Sequence, residues 1–243
     1  MALLALADTV TGTVIVAIHQ PNYLPWLGYF HKIAKADVFI FLDDVQFSKG
    51  SYTNRVQILR DGRPVWLTQP VHHRFGQAIT EVEFLQADWV ARHLDTLRGA
   101  YVRAPAFREV WPALREMMSA VAGFGLATAN RRLIEAIAGR LGLGARFCAA
   151  SDFNVGGTNG DTRLAQIVAA VAPGGIYLSG RGGAKYQDEN TFTAAGLSLA
   201  YSEFRHPIYL QSPDGFTPGL SIVDALFSAG WEATAHLVAG ERA

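Results

Sequence analysis

Cysteine occurs once in these 243 residues, at Cys148, so no intramolecular disulfide forms. No Cys/His cluster has the spacing of a zinc site, and adjacent His72 and His73 throw their imidazoles to opposite faces of an extended segment. Charge is scarce as well. Charged side chains make up 17% of the chain, and the 21 basic and 21 acidic residues cancel; an average globular chain carries about 25%. Without a net field, nothing in the charge balance would gather nucleic acid or anionic lipid. No uncharged apolar run reaches the roughly 18 residues of a membrane span. Residues 1–16 are apolar, yet Asp8 interrupts them, no basic residue precedes them and no cleavage site closes them. The expectation is a soluble protein in a reducing, cytoplasmic setting. GxSxG, GxGxxG and Walker spacings are missing too, so the usual signatures of serine hydrolases and of nucleotide-binding loops give no lead.

Apolar residues, in contrast, are half of the chain, ample to offset the entropy of ordering. The length suits one domain, since single cores grow to roughly 250 residues before dividing. Val14–Ile18 is a short, β-branched run of the kind found in strands covered on both faces. A polar loop, a short helical stretch over Tyr29–Lys35 and a second apolar run, Val38–Leu42, follow it, which is βαβ order. Ser51–Leu59 reads as a strand, Asp61-Gly62 as a hairpin turn and Val65–Pro70 as the returning strand. From Asp88 to Leu143 the period becomes helical, with stripes that predict three helices. Phe147 opens another strand, Asp161 caps a helix to about Ala172, and Ile176–Ser179 forms a strand. A helix near Asp188–Ala195, a strand near Leu197–Phe204 and a last helix from Ser221 to Ala229 complete the chain. The predicted fold is α/β: a mainly parallel βαβ-type sheet with a β-hairpin and a helical middle section. We expect a single domain over residues 14–235, a helical subregion at about 88–143 and an N-terminal extension at 1–13.

Ligands of open α/β sheets bind beyond the carboxyl ends of the strands. Polar clusters follow four of the apolar runs: His19-Gln20-Pro21-Asn22, Asp43-Asp44-Val45-Gln46, Ser48–Ser51 with Asn54-Arg55, and Ser179–Gly183. His19 is the candidate general base, because its ordinary pKa of about 6.5 suits proton transfer near neutrality. Asp43 and Asp44 alternate in direction, so only one of them faces His19, to orient the imidazole or hold a divalent ion. Arg55 and Lys49 are natural anion holders, Arg55 with a planar fork for phosphate or carboxylate. The Ser179–Gly183 turn, with Arg181, offers backbone donors to a phosphate. Tyr23, Trp26 and Trp66 have rings to stack on a ligand, although core packing is the default reading of such residues. Cys148 reads as packing, and Ser221 as a helix cap.

Two stretches resemble a known family. His19–Phe30 (HQPNYLPWLGYF), Ala36-Asp37, Asp43–Phe47 (DDVQF) and Asn54-Arg55 look like the opening of WbqC-like proteins. Tyr177–Gly180, Tyr186, Tyr209-x-Gln211 and Leu220–Asp224 resemble its far end. Arg181-Gly182-Gly183-Ala184-Lys185 is richer in cations than that pattern. The resemblance implies a bacterial enzyme of surface-polysaccharide or natural-product biosynthesis, forming an amide by acyl or aminoacyl transfer onto an amino sugar or other small amine. His19 would then deprotonate the amine, Asp43 or Asp44 would orient it, and Asn54 and Arg55 would hold the carbonyl oxygen or a phosphate. Gln20, Asn22, Tyr23, Trp26, Gln46, Lys49, Ser179, Arg181, Lys185 and Tyr186 complete the expected substrate contacts. The donor would be an acyl thioester, carried on an acyl carrier protein. The strand, His-x-Pro, helix, Ala-Asp, strand order is also similar to HIGH-type nucleotidyltransferases and to ligases built like pantoate–β-alanine ligase, which implies Mg-ATP instead. A sugar-binding or assembly module is the non-enzymatic alternative.

Overall fold

The computed structural model describes residues 12–153, 155, 160–211 and 215–240, so most of the expected N-terminal extension lies outside the described residues. The elements are β1 (Ile15–His19), α1 (Leu27–Ala34), β2 (Val38–Phe41), β3 (Arg55–Arg60), β4 (Arg63–Thr68), β5 (Val71–His72), β6 (Glu83–Phe84), α2 (Trp89–Tyr101), α3 (Phe107–Ser119), α4 (Leu126–Arg140), β7 (Arg146–Ala149), α5 (Gly160–Val171), β8 (Ile176–Gly180), α6 (Glu189–Ala194), β9 (Ser198–Ser202) and α7 (Ile222–Ala239). The chain forms two compact units. One is built from the segment ending at His19, Lys32–Leu42 and Gly144–Phe204; the other from Gln20–His31, Asp43–Leu143 and Arg205–Ala243. Among the described residues no helix is long and apolar enough to cross a membrane.

The first unit is a five-stranded sheet in the order β7-β2-β1-β8-β9, with every pairing parallel. Parallel strands need crossovers and buried faces, which explains runs such as Val38–Phe41, buried at every position. Alternation divides the sheet. Val16, Ile18, Val38, Ile40 and Tyr177 pack on Ile167 and Val168 of α5 and Phe192 of α6. Ala17, Phe39 and Phe41 lie on the other face, fully buried, with Phe147 stacked on Phe41. Cys148 packs on the apolar cluster beside α5, as a small hydrophobe. Asp161 lies inside the first turn of α5 rather than before it, and its carboxylate accepts the Asp188 N–H (2.8 Å).

In the second unit the hairpin β3–β4 turns at Asp61 (φ 49°) and Gly62 (φ 71°), both left-handed as a two-residue turn demands. Val56, Ile58 and Leu67 fill its inner face, leaving Arg55, Gln57, Trp66 and Thr68 outward. Strand β3 starts at Arg55, not at Ser51, because residues 51–54 form a turn closed by Asn54 N–H to the Ser51 carbonyl (3.3 Å). The three predicted helices are α2, α3 and α4; the buried face of α2 is Trp89, Val90, His93, Leu97 and Tyr101, with Leu94 only half-buried.

The last helix is longer than its sequence pattern predicts. Ser221 caps it, accepting the Val223 N–H (3.3 Å), and the helix then passes through Gly230 (φ 85°, ψ 176°) to Ala239. Gly230 breaks the hydrogen-bond ladder, and the Glu109 carboxylate takes the freed Trp231 N–H (3.1 Å). A Cβ at position 230 would sit 2.8 Å from Glu109 Oε2. Left-handed backbone and this close carboxylate both demand glycine. We therefore expect Gly230→Ala to destabilise the protein by about 1–3 kcal/mol, measured as a lowered urea midpoint, whereas Gly139→Ala, inside α4 with open space around it, should be neutral or stabilising.

Candidate functional site

In the first unit the winding reverses between β1 and β8, since β2 and β7 extend one side of β1 and β8 and β9 the other. Crevices at such reversals, outside the carboxyl ends, are where doubly wound sheets bind ligands. The pairing Ile15↔Ile176, Val16↔Tyr177, Ala17↔Leu178 continues to bring His19 level with Gly180. His19 is half-buried, and its carbonyl accepts the Leu42 N–H (2.8 Å), which ties the ends of β1 and β2 together. Alternation sends the His19 imidazole to the Ala17 face and the Ser179 hydroxyl to the Tyr177 face.

Ser179 is buried, hydrogen-bonded with Tyr177, whose phenol also bonds Gln187 and is pushed up by burial. A Cβ at Gly183 would collide with Ser179 Oγ and Gln187 Oε1, so only glycine closes this turn. Gly182 is right-handed (φ −60°, ψ −30°), and neither Gly180 nor Gly183 has positive φ. The segment thus lacks the alternating backbone of an anion nest. The cations that the segment presents are the exposed side chains of Arg181 and Lys185, beside the exposed Tyr186. Lys32 is the buried cation of this unit: its Nζ donates to the Ile18 carbonyl (2.8 Å), and burial pulls its pKa down to about 7.

The other predicted site residues belong to the second unit. Gln20 is held from both ends: its carbonyl accepts Tyr29 OH (2.9 Å) and its Oε1 accepts Thr53 Oγ1 (3.1 Å). Asn130 Nδ2 donates to the Pro21 carbonyl (3.0 Å) and the Thr53 carbonyl (2.6 Å), clamping the loop after β1 to the turn before β3. Asn22 and Asp43 are buried, Asp44 and Trp26 half-buried, and Gln46 and Lys49 exposed. Asn54 is buried with its amide spent inside, accepting Gly50 N–H (3.2 Å) and donating to the Gln69 carbonyl (3.3 Å). Arg55 lies over the Trp66 ring, 4.1 Å from its centroid. Tyr23 has no exposed surface, so core packing accounts for it; its hydroxyl meets His93 Nδ1 (2.7 Å), and His93 Nε2 meets the Thr68 carbonyl (3.1 Å). A carbonyl only accepts, so Nε2 carries the proton and Nδ1 accepts from Tyr23. Burial lowers the His93 pKa to about 4.

A further group appears only in the structure. Asp224, in the first turn of α7, is fully buried; its Oδ1 accepts Tyr101 OH (3.0 Å) and its Oδ2 accepts Tyr209 OH (2.7 Å). Gln211 supports Tyr209 (3.0 Å), and burial raises the Asp224 pKa despite these donors. The Tyr209-x-Gln211 and Leu220–Asp224 motifs were the available signal, but Tyr101, 123 residues from Asp224, carries no local mark. Gln69, fully buried with both amide atoms lacking a hydrogen-bond partner among the described residues, was likewise not foreseen.

The first unit defines an α/β protein of the doubly wound kind with polar groups at its reversal point. The sequence pattern of the WbqC-like protein family matches residues 20–236, and the chain belongs to that family. It is 35% identical over 227 residues to "Uncharacterized protein Rv1507c" of Mycobacterium tuberculosis (strain ATCC 25618 / H37Rv), covering 91% of this chain and 96% of the relative.

The Tyr23–His93 pair sets an acid limit on stability. His93 binds its proton at about 4 when folded and about 6.5 when unfolded, so its contribution is present above 6.5 and lost as the pH falls towards 4. The loss amounts to about 3 kcal/mol. We expect urea midpoints to fall over that window in the native protein and to fall less in His93→Gln.

Proposed function

We propose that the protein forms amides, moving an acyl or aminoacyl group from a thioester donor onto the amine of a small phosphate-bearing acceptor such as an activated amino sugar. The observation that carries this reading is the reversal point between β1 and β8, where a histidine and a glycine turn stand at the ends of adjacent strands. His19 takes the amine proton as nitrogen attacks the thioester carbonyl. The tetrahedral intermediate then collapses, the carbon–sulfur bond breaks, and His19 returns the proton to the departing thiolate. Arg181 and Lys185 hold the acceptor's phosphate. The donor is a pantetheine thioester, free or on an acyl carrier protein, in the setting of surface-polysaccharide or natural-product biosynthesis. Asp43 and Asp44 remain proposed catalytic residues.

A ligase using Mg-ATP is the second reading, favoured by the nucleotide-type strand order. Its paired-histidine chemistry requires a second imidazole, however, and His31 is buried with Nδ1 against the Val238 carbonyl (2.7 Å).

The test is mass-spectrometric detection of amide product from acyl-pantetheine and a nucleotide-activated amino sugar. We expect product without ATP, and a fall of roughly 100-fold or more in His19→Ala at an unchanged melting temperature. Strict dependence on Mg-ATP would transfer the reaction to the ligase reading. Sugar binding with no product from either donor would leave a binding module.

A further inference from the structure

The outward face of the β3–β4 hairpin carries residues that a purely solvated face does not need. Trp66 is 44% exposed, and Tyr52, in the turn before β3, is 43% exposed. Their ring centroids lie 5.9 Å apart, and Tyr52 in turn lies 5.3 Å from Trp26. The three rings form a continuous aromatic shelf within one compact unit. Successive rings are tilted by 55° and 56°, so they make a faceted surface rather than parallel walls that would sandwich a flat base.

Arg55 is fixed at the edge of this shelf. Its guanidinium covers the Trp66 ring and also lies near Gly50, where a Cβ would come within 3.4 Å of Arg55 Cζ. Gly50 also has φ +73°, so its left-handed backbone opposes a side chain there. The guanidinium is therefore held before any ligand arrives, which removes an entropic cost of binding. Its charge is not spent inside the protein. Nε is buried with no hydrogen-bond partner among the described residues, and no carboxylate there pairs with Arg55. Gln57, directly across from Trp66, and Thr68, across from Arg55, add polar groups on the same outward face.

We infer that this shelf binds a sugar ring carrying an anionic substituent, a phosphate or a carboxylate. The C–H face of a pyranose packs on the exposed indole, Gln57 and Thr68 serve its hydroxyls, and the Arg55 fork takes the anion. The shelf is built wholly from residues of the second unit, and the inference goes beyond the transfer proposed above without resting on it.

Calorimetric titration with glucose 1-phosphate, glucuronate, glucose, inorganic phosphate and AMP tests it. Saturable binding of glucose 1-phosphate or glucuronate is expected, with glucose and inorganic phosphate at least about tenfold weaker, and the stronger of the two acids identifies the anion. Trp66→Ala and Arg55→Ala should each weaken it by about tenfold, with melting temperatures unchanged and partial recovery in Arg55→Lys. Failure of both acidic sugars to bind, equal binding of inorganic phosphate, tighter binding of AMP, or indifference to both substitutions would overturn the inference. Transfer without sugar binding at the shelf would overturn this inference alone, and sugar binding without transfer would overturn the proposed reaction alone.

Discussion

Strand β1 shares its backbone with two neighbours at once, β2 and β8, and the rest of the first unit follows from that double pairing. A strand inside a parallel sheet has no face for water, so its middle residues, Val16, Ala17 and Ile18, are apolar and buried. Polar chemistry is confined to the point where the ladder stops. His19 stands there, level with the end of β8, at the place where the winding reverses. The aromatic face of Phe39, Phe41 and Phe147 and the aliphatic face under α5 and α6 are the two sides of the same alternation.

The second unit has a different physical problem. It buries many polar groups, and each burial is costly unless the group is bonded. Asn130 serves two carbonyls with one amide nitrogen, Tyr23 and His93 satisfy each other, and Asp224 collects two phenols. These bonds join segments far apart in the chain and fix the irregular loops that helices and strands leave undefined. Leu24, at φ 38°, is held in that unusual conformation with its carbonyl accepting Ser221 Oγ (2.7 Å). The conformation of the loop is therefore set by buried hydrogen bonds rather than by regular structure.

Arg55 and the exposed aromatic rings near it stand apart from these buried hydrogen-bonded pairs. A guanidinium laid over an indole, with no ion-pair partner among the described residues, keeps its electrostatic capacity for a ligand. Arg181 and Lys185 offer a second, looser cationic group on the turn after β8, where the backbone itself forms no nest. The two cationic groups differ in setting: Arg55 lies over an indole, while Arg181 and Lys185 stand exposed on a turn.

Local chemistry made much of this legible from sequence. The apolar runs of β1 and β2, the Asp61-Gly62 turn, the three helices between 88 and 143 and the Ser221 cap all follow from periodicity or from what one or two residues do to their own backbone. Where long-range partners decide, local signals failed. Residues 51–54 read as strand but fold as a turn, because Asn54 spends its amide on Gly50 and Gln69. The last helix read as ending near Ala229 but resumes, because Glu109 supplies a cap from α3. Tyr23 was a candidate for ligand contact until His93 and Trp89 enclosed it. The sequence by itself determined most of the strands, helices and turns, because those preferences act within a few residues. Only tertiary structure decided on which side of β1 strand β8 would pair, and that Trp66, Tyr52 and Trp26 would meet with Arg55 over the Trp66 ring. Such choices depend on which distant surfaces bury one another, and no local pattern encodes them.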